Sequence, residues 1–145
     1  MKLKKILCPV DFSNFSSAAN QYASIVAKSS GAEIVYLHVS LPDVTSSSYA
    51  CVDLEQEAER DRQRLEEYKP DIEGIDSSYE IRFGSPANII VTYAVEHGID
   101  LIVMGTHGRT GWRRIAMGSV AEEVVRTANC PVLAIKSETV VPQST

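Results

Sequence analysis

From residue 4 to residue 136 the chain alternates short apolar runs with longer segments that carry one apolar face, and this alternation restricts the fold more than any other feature. KKILCPV (4–10), AEIVYLHV (32–39), SSYEIRF (77–83), GIDLIVMG (98–105) and CPVLAIK (130–136) have the length and branched or aromatic content of strands. Between the first two, Ala18, Ala19, Tyr22, Ala23, Val26 and Ala27 recur at helical spacing. Asn14 or Ser13 can cap that helix, and Gly31 ends it. DLEQEAERDRQRLEEYK (53–69) predicts a second helix, with a thin apolar set at Leu54, Ala58, Leu65 and Tyr68 and a stop at Pro70. Its pairs Glu57–Arg60, Glu59–Arg62 and Asp61–Arg64 lie three apart and are expected on a solvated face. Ser85-Pro86 opens a third helix to about His97, and a fourth runs from about Ser119 to Ala128.

Strands separated by helices pair in parallel through right-handed crossovers. The near-continuous apolar run GIDLIVMG suits a strand covered on both faces. The fold class that follows is α/β: an open five-stranded parallel sheet with helices on both faces. At 145 residues the chain is expected to form a single domain, 1–145, whose end, 137–145, is a mobile or dimer-dependent tail.

Composition removes several function classes. A chain 44% hydrophobic and 23% charged is globular in type, and no apolar run nears the ~20 residues of a membrane helix. The opening MKLKKILCPVDFS meets Asp11 too soon for a signal peptide, so a cytoplasmic protein is expected. Cys8, Cys51 and Cys130 are odd in number and scattered, which argues against a disulfide framework or a zinc site. Cys8 and Cys130 read as small buried hydrophobes. A net charge of −5 argues against nucleic acid as the partner.

Against that acidic background one segment stands apart. GTHGRTGWRRIAMGS (105–119) holds four glycines, three arginines and no acidic residue. It follows a strand, where ligands bind in open parallel sheets, beyond the carboxyl ends. Its glycines can bring backbone N–H groups close to a phosphate and tolerate positive φ. The helix after it offers unpaired N–H groups and a favourable dipole to an anion. With Arg109 and Arg113 nearby the segment is a candidate phosphate cradle, and Asp11, beyond the end of the first strand, is a candidate acceptor for ribose hydroxyls. The alternative is plainer: Ser119-x-x-Glu122 is a capping-box pattern, in which serine caps its own helix and Glu122 and Glu123 satisfy the dipole. The segment is neither a Walker A loop, lacking GK[ST], nor the dinucleotide GxGxxG that follows a first strand.

The spacing Gly105-x2-Gly108-x9-Gly118-Ser119 resembles that of ATP-binding members of the universal stress protein family. The likeness extends to KKILCPVDFS, IVYLHV, VMGTHGRTG and MGSVAEEVVRTANCPVLAIK, nearly the whole chain. The resemblance implies strand order 3-2-1-4-5, which brings Asp11 and Gly105 to one crevice. It implies that Pro9, Val10 and Asp11 line the adenosine side and that Val39 contacts adenine. Gly105, Thr106, His107, Gly108, Arg109, Gly118, Ser119 and Val120 would surround ribose and phosphates, with Met104 packed beside them. ATP, with Mg2+ or Mn2+ as an accompanying ion, is the implied cofactor.

No catalytic residue is assigned. His107 reads as a loop residue, His38 and His97 as structural or surface residues, and Trp112 as an anchor or partner contact. No carboxylate–histidine pair or base is placed by spacing to support fast turnover, so little intrinsic ATP hydrolysis is expected. The leading expectation is a regulatory stress-response protein, a nucleotide-dependent switch acting through a signalling partner. A slow ATPase or phosphotransferase is the second reading, and a dimerisation module without nucleotide the third. The apolar last strand, Val132 to Ile135, is expected to pair two copies as a homodimer, with Val140 and Val141 of the tail in reach.

Overall fold

The computed structural model describes residues 2–40, 50–68, 73–107 and 117–136, and the side chains of residues 14 and 50–54 lie outside the description. The elements run β1 (Lys5–Pro9), α1 (Asn14–Ser30), β2 (Glu33–Ser40), α2 (Ala50–Tyr68), β3 (Ser77–Phe83), α3 (Pro86–Glu96), β4 (Leu101–Gly105), α4 (Ser119–Thr127) and β5 (Val132–Ile135). All strand pairs are parallel and the order is β3-β2-β1-β4-β5, as the resemblance implies. The sheet order reverses between β1 and β4, which register Ile6 against Leu101 and Leu7 against Ile102.

Side-chain alternation along the central strands builds the two layers. Ile6 and Cys8 of β1, Ile34 and Tyr36 of β2 and Val103 of β4 turn to one face. There they meet Ala18, Ala19, Ala23 and Ala27 of α1 and Leu65 of α2. The run of alanines lets α1 lie close on the sheet, with Tyr22 and Val26 packed at its margin. Leu7, Val35, Leu37, Ile102 and Met104 turn to the other face, against Ala87, Ile90, Tyr93 and Ala94 of α3 and Ala121 and Val124 of α4. Ile6, Leu7, Cys8, Ile102 and Val103 have no exposed surface. Truncating any of these large side chains to alanine costs about 2–5 kcal/mol. Burial pushes the Cys8 thiol up to about 12, so it stays protonated and behaves as a core hydrophobe.

The helix ends follow local chemistry. Of the two candidate caps for α1, Ser13 is the one used: its hydroxyl accepts the Ser16 amide at 3.3 Å. Gly31 closes the helix in the left-handed region at φ 78°. Ser85 is the N-cap of α3 with proline next, but its side chain makes no cap bond. α2 begins at Ala50, three residues before the apolar pattern suggests. The larger correction concerns its face. Asp61 is not on a solvated surface; it is buried against His38 of β2, Oδ2 to Nε2 3.3 Å. Glu59–Arg62, at 3.5 Å, is the exposed pair expected. Pro70, most of the serine-rich stretch 40–52, and the tail with Val140 and Val141 lie outside the described residues. Among the described residues no helix is long and apolar enough to cross a membrane.

Candidate functional site

The reversal of strand order between β1 and β4 leaves a crevice beyond the carboxyl ends of those strands, where neither connection closes over the sheet. A cleft of about 500 Å3 occupies it, within the ~300–1,000 Å3 usual for small-molecule sites. Pro9, Val10, Asp11, Val39, Met104, Gly105, Thr106, His107, Gly118, Ser119 and Val120 all line it. Gly108, Arg109, Trp112, Arg113 and Arg114 lie outside the described residues.

One wall of the cleft is apolar. Leu37 and Val39 are two apart on β2 and therefore share a face. Pro86 and Ile90, one turn apart at the start of α3, and Met104 complete that wall. The resemblance supplied Val39 but not Leu37, although the period of two along AEIVYLHV carries the signal. Pro86, Ile90, Met117, Ala121, Glu122 and Ser16 were also missed, since contacts from three separate helices and from the residue before the α4 cap leave no spacing to read.

Another part of the lining is built on the first turn of α4. The N-cap of α4 is Gly118, and Ser119 is its first helical residue. This overturns the capping-box alternative: Ser119 sits one position too late to cap the helix. A glycine cap has no side chain to accept the first amides, and helix geometry gives the amides of Ser119, Val120 and Ala121 no intrahelical acceptor. All three residues line the cleft. Gly118 spends its own N–H on the Thr106 carbonyl at 2.6 Å, and Thr106 N–H reaches the Ile135 carbonyl at 2.9 Å. These two bonds anchor both ends of the glycine-rich segment to the sheet.

At the two described glycines of the segment, Gly105 and Gly118, positive φ is not the reason for glycine. Gly118 has φ −72°, which any residue can adopt, so positive φ is not its reason. At Gly105 the reason is packing. A Cβ there would stand 2.7 Å from Phe15 Cβ and 3.0 Å from the Phe15 carbonyl carbon and oxygen. Gly105 lets the first turn of α1 settle directly on the end of β4.

Asp11 is held tightly. Its Oδ1 accepts the Ser16 hydroxyl at 2.6 Å and the Ser13 amide at 3.0 Å, while its own N–H donates to Ser16 Oγ at 3.0 Å. This network is also the start of α1, so the carboxylate orients the helix as well as lining the cleft. The residue after it, Phe12, has φ 64°, left-handed backbone that costs a non-glycine residue about 1–3 kcal/mol. No sequence signal marked that strain. His107 Nδ1 lies 3.0 Å from Thr106 Oγ1, and its ring is tilted against Phe15 at 5.3 Å between centroids. His97 is stacked on Tyr93 at 3.9 Å, on the surface of α3.

An apolar wall and a helix start capped by glycine, with an anchored carboxylate at the switch point, can hold a flat apolar ring and an anion. Comparison with known proteins agrees with that architecture. The chain is 37% identical over 140 residues to a universal stress protein of Methanocaldococcus jannaschii, covering 92% of this chain and 82% of the relative. The solved structure of MJ0577 from the same organism superposes with a TM-score of 0.87 at 30% identity, covering 97% of this chain and all of that one. Two more distant universal stress proteins share the fold. One, solved with cAMP, has a TM-score of 0.66 at 20% identity and covers 95% of this chain and all of that one. The other, from Archaeoglobus fulgidus and solved with dAMP, has a TM-score of 0.62 at 22% identity and covers 94% of this chain and all of that one. The model of the universal stress protein family matches residues 2–136, and the chain belongs to that family.

Proposed function

We propose that this protein binds ATP in the cleft between β1 and β4 and acts as a nucleotide-dependent switch in a stress response, through a partner protein. The observation that carries the reading is the start of α4, where the cap, Gly118, has no side chain to take the first amides and Ser119 and Val120 line the cleft. In this reading adenine lies on Val39 and the apolar wall, with Pro9, Val10 and Asp11 on the adenosine side. Thr106, His107, Gly108, Arg109, Gly118, Ser119 and Val120 surround ribose and phosphates, with Gly105 and Met104 beneath. The adenine nucleotides in the cAMP and dAMP complexes of distant relatives support the ligand class.

Glu122 also lines the cleft and would repel a bare triphosphate. Among the described residues no group of three or more His, Cys, Asp or Glu side chains could hold a metal ion by itself. A Mg2+ or Mn2+ ion arriving on the phosphates would screen Glu122. The partner reading extends to a second copy of the chain. Leu133 on the edge strand β5 and Val125 on α4 are large exposed hydrophobics, 36% and 47% exposed, which supports homodimerisation through that edge.

Titration calorimetry with ATP, ADP and AMP, with and without magnesium, tests the ligand. Saturable binding of all three supports the reading, and no binding of any removes it. Turnover near 1 per second or faster by the purified protein would mark an enzyme instead. A monomer mass by light scattering at tens of micromolar would remove the dimer.

A further inference from the structure

A second polar cluster stands behind the cleft, on the side of the sheet covered by α2, and the nucleotide reading leaves it unused. His38, next to Val39 on β2, is buried at 7% exposed and turns to the face opposite Leu37 and Val39. Its Nδ1 lies 2.7 Å from the Val10 carbonyl oxygen, and its Nε2 lies 3.3 Å from Asp61 Oδ2 on α2. A carbonyl oxygen can only accept, so Nδ1 carries a hydrogen and donates. Nε2 then meets the carboxylate across a hydrogen that the pair shares. The ring thus ties α2 to the backbone of the residue immediately before Asp11.

The residue immediately after Asp11 is held from the same helix. The Phe12 ring lies 4.8 Å from the imidazole and has the Arg64 guanidinium 4.0 Å from its centroid. Arg64 is itself 4.0 Å from Asp61 Oδ1. Phe12 keeps a left-handed backbone, φ 64°, which persists only where the surroundings over-determine it. A buried ion pair is a poor source of net stability compared with apolar packing. What this cluster supplies is a fixed geometry for the Val10–Phe12 turn.

We propose that His38, backed by Asp61, is a positioning residue for Asp11, so that the seating of α2 is built into the nucleotide cleft. The proposal rests on reading the cleft as a nucleotide site, and it reaches beyond it: whatever moves α2 changes how Asp11 is presented.

Two substitutions separate the two bonds of the ring. In His38→Asn the amide nitrogen falls near the position of Nδ1 and keeps a donor for the Val10 carbonyl. In His38→Gln the amide reaches toward Asp61 and gives that donor up. Amide hydrogen exchange at Asp11 and Ser13 reports the turn without any ligand, because both N–H groups are bonded within it. Calorimetry with AMP reports the cleft.

His38→Gln is expected to speed exchange at both amides about tenfold and to weaken AMP about tenfold, within the ~5–150-fold usual for coupled sites. His38→Asn is expected to stay within about threefold of the parent in both. Asparagine and glutamine behaving alike would overturn the proposal, as would unchanged exchange in both variants. If the parent binds no AMP, the nucleotide reading falls while the exchange comparison still decides the positioning role. If His38→Gln does not fold, Asp61→Asn carries the same exchange measurement: a rise supports the role and no rise overturns it.

Discussion

Three helices begin on the rim of the cleft, and two of them, α1 and α4, begin in opposite ways, α3 opening on Pro86, which has no N–H to offer. At α1 every local device is in place: Ser13 caps the helix, Ser16 returns a hydroxyl to Asp11, and Asp11 accepts the Ser13 amide. At α4 the cap is Gly118, which makes no side-chain cap bond. The start of α1 is capped by its own serine, whereas that of α4 has a cap with no side chain, and in the proposed reading its amides receive an outside acceptor. The difference assigns the two ends of the cleft. The α1 end is a rigid reference surface, and the α4 end is where an anion is expected.

The sharpest way to break this comparison is to make α4 start as α1 does. Gly118→Asp puts a strong capping carboxylate where the phosphate is expected, at φ and ψ values suited to a cap. Nucleotide affinity is expected to fall about 150-fold, the loss of two charge-assisted bonds near ~1.5 kcal/mol each. Thermal stability should hold or rise by a few tenths of a kcal/mol. Calorimetry and a melting curve on one sample check both signs.

Asp11→Ala comes next. ATP and AMP should both weaken by about 10- to 150-fold if the carboxylate serves ribose. Stability should also drop by about 1 kcal/mol, because the same carboxylate holds the first turn of α1. A loss confined to ATP with magnesium would point to metal-bound phosphates instead.

Gly105→Ala probes what the two helix starts share, since Phe15 of α1 rests on that glycine. Overpacking should cost about 1–3 kcal/mol, read from a urea midpoint. The smallest effect is expected from Ser13→Ala: about 1 kcal/mol of stability, with nucleotide affinity within about threefold of the parent. A large affinity loss there would erase the distinction between the two ends.

Much of the fold was legible because its signals are local. Apolar runs marked β1, β2, β4 and β5, alanine spacing marked the buried face of α1, and Ser85-Pro86 marked the start of α3. Strand order was not readable from periodicity; it came with the resemblance carried by the glycine spacing and the PVDFS segment. Asp11 was legible as the residue just beyond the end of a strand, whereas Val39 and Thr106 came with the resemblance. The cleft was illegible where helices from distant parts of the chain converge, as with Ser16 and Ile90.

The misreadings have a common physical cause. Asp61 looked like one of several i,i+3 surface pairs, and only its distance to His38, far away in sequence, shows it to be buried. The helix opens at Ser119 as expected, but the alternative of a serine cap fails because the extended backbone of Gly118 makes that glycine the cap. The strain at Phe12 is imposed by tertiary packing on an ordinary residue.

The central claim, that phosphate meets the start of α4 and not that of α1, is tested most directly by titrating the 15N-labelled protein with AMP. The amides of Ser119, Val120 and Ala121 should show the largest shifts, adenosine should leave those three nearly unmoved, and Ser13 and Ser16 should change little with either. No saturable shift at Ser119–Ala121, or phosphate-dependent shifts centred on Ser13–Ser16, would contradict it.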